Sequence, residues 1–191
     1  MTSREHIDWL RLSRTETIGP VTFHRLLARY GSATKALEAL PVLTQKKPIR
    51  ICPPDIAEKE LDQLHKLGGK MVFAGESDYP LALTSLDDAP PVLSVIGNLD
   101  LLQRPSIALV GSRNASLNGR KLAHKMATDL GKAGQVVTSG LARGIDTAAH
   151  EGALASGTIA VVAGGVDVIY PRENTDLYKK ICAQGAVVSE C

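Results

Sequence analysis

Three short apolar runs in the C-terminal half of the chain end in glycine, and each is followed by an arginine. They read Ile107-Ala108-Leu109-Val110-Gly111-Ser112-Arg113, Gln135-Val136-Val137-Thr138-Ser139-Gly140 with Arg143 close behind, and Thr158 to Ala163 followed by Gly164-Gly165 and later Arg172. Glycine lets backbone approach an anion closely, and a helix starting just after such a turn presents unpaired N–H groups to it. Arginine is always charged and grips phosphate with two parallel hydrogen bonds. The chemistry this predicts is the holding of phosphate. Three guanidinium groups at neighbouring strand ends suit a line of phosphates better than one pyrophosphate. The candidate contacts are Gly111, Ser112 and Arg113 in the first loop, and Ser139, Gly140 and Arg143 in the second. The third loop adds Gly164, Gly165, Tyr170, Arg172 and Asn174. Tyr170, beside Pro171, is placed either to stack on a base or to pack.

Other phosphate and catalytic signatures are missing. No G-x-x-x-x-G-K-[ST] sequence is present, which argues against a P-loop nucleotide hydrolase, and G-x-G-x-x-G is absent too. A dinucleotide site would place an acid at the end of the second strand, where Thr138-Ser139-Gly140 stands, so NAD is disfavoured. Ser112 and Ser139 lie outside any G-x-S-x-G, and turn or cap roles suit them. Asp146 and His150 sit four apart on one helix without the third group a catalytic pair needs; they read as an N-terminal cap or dipole partner and a packed residue. His6, His24, His65 and His124 are scattered, so no metal site and no cofactor are expected.

The elements that must position these loops alternate strand and helix from residue 106 onward. Strands over 107–110, 135–138, 158–163 and 186–189 are separated by helices over about 117–132, 144–155 and 174–183. Apolar strands alternating with amphipathic helices predict α/β architecture, a Rossmann-like parallel sheet with right-handed crossovers and its glycine-rich loops on one edge. Ile107–Val110 is expected to be a buried strand. Upstream, Met71–Phe73 and Val92–Ile96 are further strand candidates, and a helix is expected at about Asp55–Leu67.

Residues 7–40 read as short helices. Pro20 suits the first turn of a helix carrying Phe23, Leu26, Leu27 and Tyr30; Gly31 fits just past its end, and Ser32 caps a third helix that stops at Pro41. This is a small all-helical module of the sterile-alpha-motif or helix-hairpin-helix kind, with Trp9 and Phe23 in its core. Such modules touch DNA backbone in some proteins and only pack in others; packing is favoured here. The expected organisation is a helical module over 1–45, a linker and helix over 46–70, and the α/β domain over 71–191.

The 191 residues suffice for one ordinary domain and a small one. Residues 1–50 hold nine Lys and Arg against four Asp and Glu, 51–100 three against nine, and 101–191 ten against seven. Charge therefore alternates by segment and does not by itself identify a polyanion binder. The longest apolar runs, such as 158–166, are too short to span a bilayer, and Met1–His6 lacks a signal-peptide profile. Cys52, Cys182 and Cys191 share no metal-ligand spacing and suit a reducing compartment. A cytoplasmic location without membrane contact is expected.

These motifs together resemble one family. Ile107 to Arg113, the long run Ser139 to His150, and Gly165-Val166-Asp167-Val168-Ile169-Tyr170-Pro171 are similar to the bacterial DNA-processing family DprA, also called Smf. Asp78-Tyr79-Pro80 and Pro90-Pro91-Val92-Leu93 look like that family's lead-in to the domain, and Trp9-Leu10-Arg11-Leu12 with Ile18-Gly19-Pro20 resemble its helical module. The resemblance implies a single-stranded DNA-binding recombination mediator that protects DNA and helps load the recombinase RecA during natural transformation, a homodimer at full length, with no established catalytic activity. It makes Arg113 and Arg172 the leading phosphate contacts. It also implies that the chain stops short of the family's further strands. The alternative is a Rossmann-like nucleotide-binding hydrolase; such enzymes carry Gly-Gly-x-Gly-Thr with a glutamate, where this chain has Gly164-Gly165-Val166-Asp167.

Overall fold

The computed structural model describes residues 3–44 and 49–191. It divides into two compact units, residues 1–66 with 71–92, and residues 67–70 with 93–191. Of the lysine- and proline-rich stretch 44–54 read as a linker, residues 45–48 lie outside the described residues.

The first unit is built on four helices: α1 (Ser3–Ser13), α2 (Pro20–Tyr30), α3 (Ala33–Leu43) and α4 (Pro54–Lys66). The local signals act as their chemistry requires. Pro20 opens α2, and Gly31 closes it at φ 79°, a left-handed conformation that glycine adopts without strain. The Ser32 hydroxyl then accepts from the Lys35 amide, 3.2 Å away, to cap α3. Pro41 does not stop that helix, which continues to Leu43. A proline in the last turns forfeits one ladder bond, and Leu37 and Leu40 are buried just before it. Thr44 closes the end through both its N–H and its hydroxyl on the Leu40 carbonyl.

Leu12, Ile18, Phe23, Ala33, Ala36, Leu37 and Leu40 form the module's core, with Trp9 packed against it and its ring 5.1 Å from that of Phe23. Residues 49–53 are tied to the same helices. Ile49 and Ile51 pack on the core, Cys52 N donates to Thr15 Oγ1, and Arg11 Nε donates to the Cys52 carbonyl. Arg14 reaches both carboxylate oxygens of Glu60 on α4. The tyrosine and prolines of the lead-in motifs have structural partners here. Tyr79 is buried and its hydroxyl donates to the Pro90 carbonyl at 2.7 Å, while Trp9 Nε1 donates to the Pro91 carbonyl at 3.0 Å.

The described residues form six strands: β1 (Lys70–Phe73), β2 (Val92–Gly97), β3 (Ser106–Ala108), β4 (Val136–Ser139), β5 (Thr158–Val161) and β6 (Ala186–Ser189). In the second unit the order is β2-β6-β5-β4-β3. Four of these strands are parallel, with Ile107 opposite Val137, Thr138 opposite Ile159 and Ala160 opposite Val187. β2 is added antiparallel to β6, so the sheet is mixed. Three helices connect the parallel strands: α5 (Leu117–Lys132), α6 (Ile145–Ala153) and α7 (Thr175–Gln184). Val137 packs with Ala127, Ala149 and Ala153 beneath α5 and α6.

The first parallel strand departs from expectation. β3 spans only Ser106–Ala108, all three residues are exposed, and Val110 beyond it is 71% accessible. Among the described residues β3 has a neighbour on one side only. An edge strand buries less than a central one, and an apolar run cannot reveal which position it will take.

Candidate phosphate-binding site

The parallel strands deliver three loops to their C-terminal ends, and backbone contact locks the first two together. The Ile145 amide at the start of α6 donates to the Ser112 carbonyl at 3.2 Å. Gly144 fits beneath it only because it has no side chain. Its φ is 80°, and a Cβ there would overlap the Ser112 carbonyl oxygen and lie 2.7 Å from that of Arg113. Gly111 meets the same interface from the other side, where a Cβ would come within 2.7 Å of the Ile145 side chain. In the first loop Ser112 Oγ accepts from the Asn114 amide, and Ser116 caps α5 through the Gly119 amide, both at 3.1 Å. Gly111, Ser112 and Arg113 are all exposed.

In the second loop the polar groups turn inward. Ser139 is buried and its hydroxyl donates to the Leu109 carbonyl at 2.6 Å. The amides of Gly140 and Ala142 donate to one oxygen of Asp146, at 3.1 and 3.4 Å. Asp146 therefore anchors the loop from inside α6 and does not cap it: the N-cap position is Gly144, with no side-chain hydrogen bond. A carboxylate already occupies those amides, which an external anion would otherwise claim. One turn later His150 is fully buried, as packing implied, with Nδ1 2.7 Å from Thr158 Oγ1, whose hydroxyl donates to the Val137 carbonyl. Burial pushes its imidazole down to about 4 against the opposing pull of Asp146.

The third loop is fastened at several points. Tyr178 of α7 donates to the Val166 carbonyl, and Ser189 Oγ donates to the Gly164 carbonyl at 2.7 Å. Asn174 is buried and works as a latch. Its Nδ2 donates to the carbonyls of Leu141 and Ala142 at 2.8 and 3.3 Å, and it also meets the Thr147 hydroxyl. Arg143 and Glu173 join the same two loops as an exposed ion pair at 2.5 Å. Such a pair is worth about 0–1 kcal/mol in water and exchanges readily for another anion.

The eleven candidates thus fall into groups. Gly111, Ser112, Arg113, Gly164, Tyr170 and Arg172 are exposed, Tyr170 at 70%, and Gly165 is partly covered. Arg143 is paired, while Ser139, the Gly140 amide and Asn174 serve the loops themselves. Among the described residues, no group of His, Cys, Asp and Glu is arranged to hold a metal ion. No described helix is long and apolar enough to cross a membrane.

Loop-based reading missed one feature. A groove of about 670 Å³ runs from Arg113 and Arg143 back between α5 and α6, and its walls include Arg120, Lys121 and His124. The available signal was helical spacing: Leu117, Arg120, Lys121 and His124 recur at i, i+3, i+4 and i+7, which places them on one face of α5.

Fold and site together define an α/β protein whose parallel strands end in glycine loops bearing exposed cations, joined to a helical module. Residues 70–191 match the family described as DNA recombination-mediator protein A, and residues 3–62 match the DprA-like N-terminal HHH domain. The chain belongs to the DNA recombination-mediator protein A family, DprA or Smf. It is 31% identical to Protein Smf of Synechocystis sp. over 208 residues, covering 100% of this chain and 52% of that protein. With DNA processing protein DprA of Streptococcus pneumoniae it shares 47% over 114 residues, covering 59% of this chain and 40% of the relative. The chain therefore spans about half the length of these curated relatives, or less. Among solved structures, S. pneumoniae DprA superposes with a TM-score of 0.66 at 32% identity, over 91% of this chain and 68% of that one. DNA processing protein A of Helicobacter pylori, a structure concerned with that protein's single-stranded DNA binding mode, gives 0.59 at 31%, over 64% and 55%.

Proposed function

We propose that the chain binds single-stranded DNA along the C-terminal edge of its parallel sheet, as part of a recombination mediator. Exposed Arg113 and Arg172, on the loops that follow β3 and β5 on either side of β4, carry this reading, with Tyr170 exposed in the same loop as Arg172. Among the described residues no ion pair occupies either guanidinium, so both are available to phosphate, and Arg143 between them exchanges Glu173 for the same partner. Tyr170 supplies a ring for stacking, which is tolerant of base identity. The relative from H. pylori binds single-stranded DNA, which supports the same ligand here. Protection of DNA, loading of RecA during natural transformation, dimer formation at full length and a cytoplasmic location belong to the same proposal.

We read the protein as a binder without chemistry of its own. Asp146 and His150, the acid and base that α6 places behind the second loop, are buried and engaged with loop amides and Thr158. The test is fluorescence anisotropy of a labelled oligonucleotide, single- against double-stranded, across a salt series. Arg113→Ala/Arg172→Ala should weaken binding equally for any base sequence. It should also lower the slope of log K against log [salt] by about 0.7 for each phosphate no longer neutralised. Binding that depends on base sequence but not on salt would reject the proposal, and release of free base from a nucleoside monophosphate would favour the hydrolase instead.

A further inference from the structure

We infer that the groove between α5 and α6 is a second phosphate subsite, taking backbone phosphate of a strand whose neighbouring phosphates lie on the strand-end loops. This rests on the single-stranded DNA reading above. The groove's volume, about 670 Å³, is that of a ligand site. Its two walls differ in a way that suits an anion. The α5 wall presents Arg120, Lys121 and His124, and runs about 10 Å along the helix from Leu117. The α6 wall, at the same i, i+3, i+4, i+7 spacing, presents Gly144, Thr147, Ala148 and Glu151. Small residues on one side leave space that long cations on the other side reach across.

Charge argues the same way. Arg113, Arg120, Arg143 and Lys121 line the groove against one acid, Glu151. Among the described residues no ion pair or side-chain hydrogen bond holds Arg113, Arg120 or Lys121. Like charges gathered around a concave surface repel one another and focus their field on the space between, and an anion placed there relieves the repulsion. The shape sets the direction of entry. At the far end Thr128 Oγ1 donates to the Gly152 carbonyl at 3.0 Å, and a Cβ on Gly152 would strike the His124 carbonyl, so the helices close. The other end is lined by Arg113 and Arg143. A strand held on the strand-end loops reaches the groove without leaving Arg113.

The experiment uses the full chain and two exposed pairs of cations on α5. Arg120→Ala/Lys121→Ala empties the groove wall; Lys125→Ala/Lys132→Ala removes the same charge from α5 outside the groove, where Lys125 already pairs with Asp129. Circular dichroism checks folding, and anisotropy with short and long thymidine oligonucleotides across a salt series reads binding. For the long oligonucleotide, the groove variant should lower the salt slope by about 0.7 for each phosphate it no longer holds, with the control pair unchanged and the short oligonucleotide unaffected. A wild-type slope in the groove variant at every length, with Arg113→Ala still reducing it, would overturn this inference and leave the strand-end reading standing. No effect from Arg113→Ala, or no binding by the wild type, would overturn both. Thymidine monophosphate tested alone separates the sources of phosphate: binding that the groove variant abolishes, with oligonucleotide slopes unchanged, would make the groove a mononucleotide site and reject the strand path.

Discussion

Replacing Gly144 by alanine should displace the Arg113 loop, and the cost can be worked from the backbone. Gly144 sits at φ 80°, ψ −115°, a region essentially closed to residues with a side chain. Holding alanine there costs about 1–3 kcal/mol. Its Cβ would also overlap the Ser112 carbonyl oxygen and lie 2.7 and 2.9 Å from the Arg113 carbonyl oxygen and carbon. These are backbone atoms, so no rotamer change relieves the overlap, and overpacking of this kind adds about 1–3 kcal/mol. A combined loss of about 2–6 kcal/mol, centred near 4, is a large share of the roughly 5–15 kcal/mol that holds a native protein together. For a chain of this size it corresponds to a fall in Tm of about 10 °C.

Gly134→Ala is the matched control. Gly134 also has a positive φ, 83°, but a Cβ there meets nothing within 4 Å. Only the left-handed backbone is penalised, by about 1–2 kcal/mol. Thermal unfolding followed by circular dichroism compares the two variants, and oligonucleotide anisotropy reads the loop. Gly144→Ala should melt well below Gly134→Ala, or keep its stability by letting the Arg113 loop move and lose DNA affinity. Equal melting temperatures together with an unchanged salt slope would refute the claim that Gly144 holds this loop in its binding position.

Two further expectations concern the buried polar pair of α6. Removing the Asp146 carboxylate strands the amides of Gly140 and Ala142; charge-assisted hydrogen bonds are worth about 1.5–3 kcal/mol each. Asp146→Ala should therefore lose about 3 kcal/mol in urea unfolding and Asp146→Asn less, whereas a loss under about 1 kcal/mol for alanine would show that the carboxylate is not the anchor. His150 sets a pH dependence: its folded value, about 4, lies below the ordinary 6.5, so on acidification the unfolded chain takes the proton first. Its contribution is intact above pH 6.5 and falls as pH drops toward 4, by up to about 1.4 kcal/mol per pH unit. Unfolding free energies at pH 7, 6 and 5 should decline more steeply in the wild type than in His150→Leu; parallel declines would mean that the imidazole stays accessible to protons.

What is legible in the sequence is what a residue does to its own backbone. Pro20, Gly31 and Ser32 mark helix ends through restricted φ, a left-handed turn and a short hydroxyl reach. The alternation of apolar strand, glycine and helix from residue 106 is local in the same sense. The errors begin where a role depends on a distant partner. Pro41 reads as the end of α3, but its effect depends on how near the helix end it falls and on the burial of Leu37 and Leu40. The exposure of β3 follows from its edge position in the strand order, which the run Ile107–Val110 does not encode.

Asp146 and Asn174 make the same point for the site. Asp146 reads as an N-terminal cap or a dipole partner; it lies in the first turn of α6 but, in place of capping, reaches back to amides on the preceding loop, and Asn174 spans from the third loop to carbonyls in the second. A loop rich in glycine, serine and asparagine looks available to a ligand because every polar group in it is counted as free. Folding consumes many of those groups first, since a buried amide or hydroxyl without a partner is costly. In this unit Ser139, the Gly140 amide and Asn174 are consumed in that way. What remains outward is charge too costly to bury, on Arg113, Arg172, Arg120 and Lys121, and it is there that the proposed binding places the ligand.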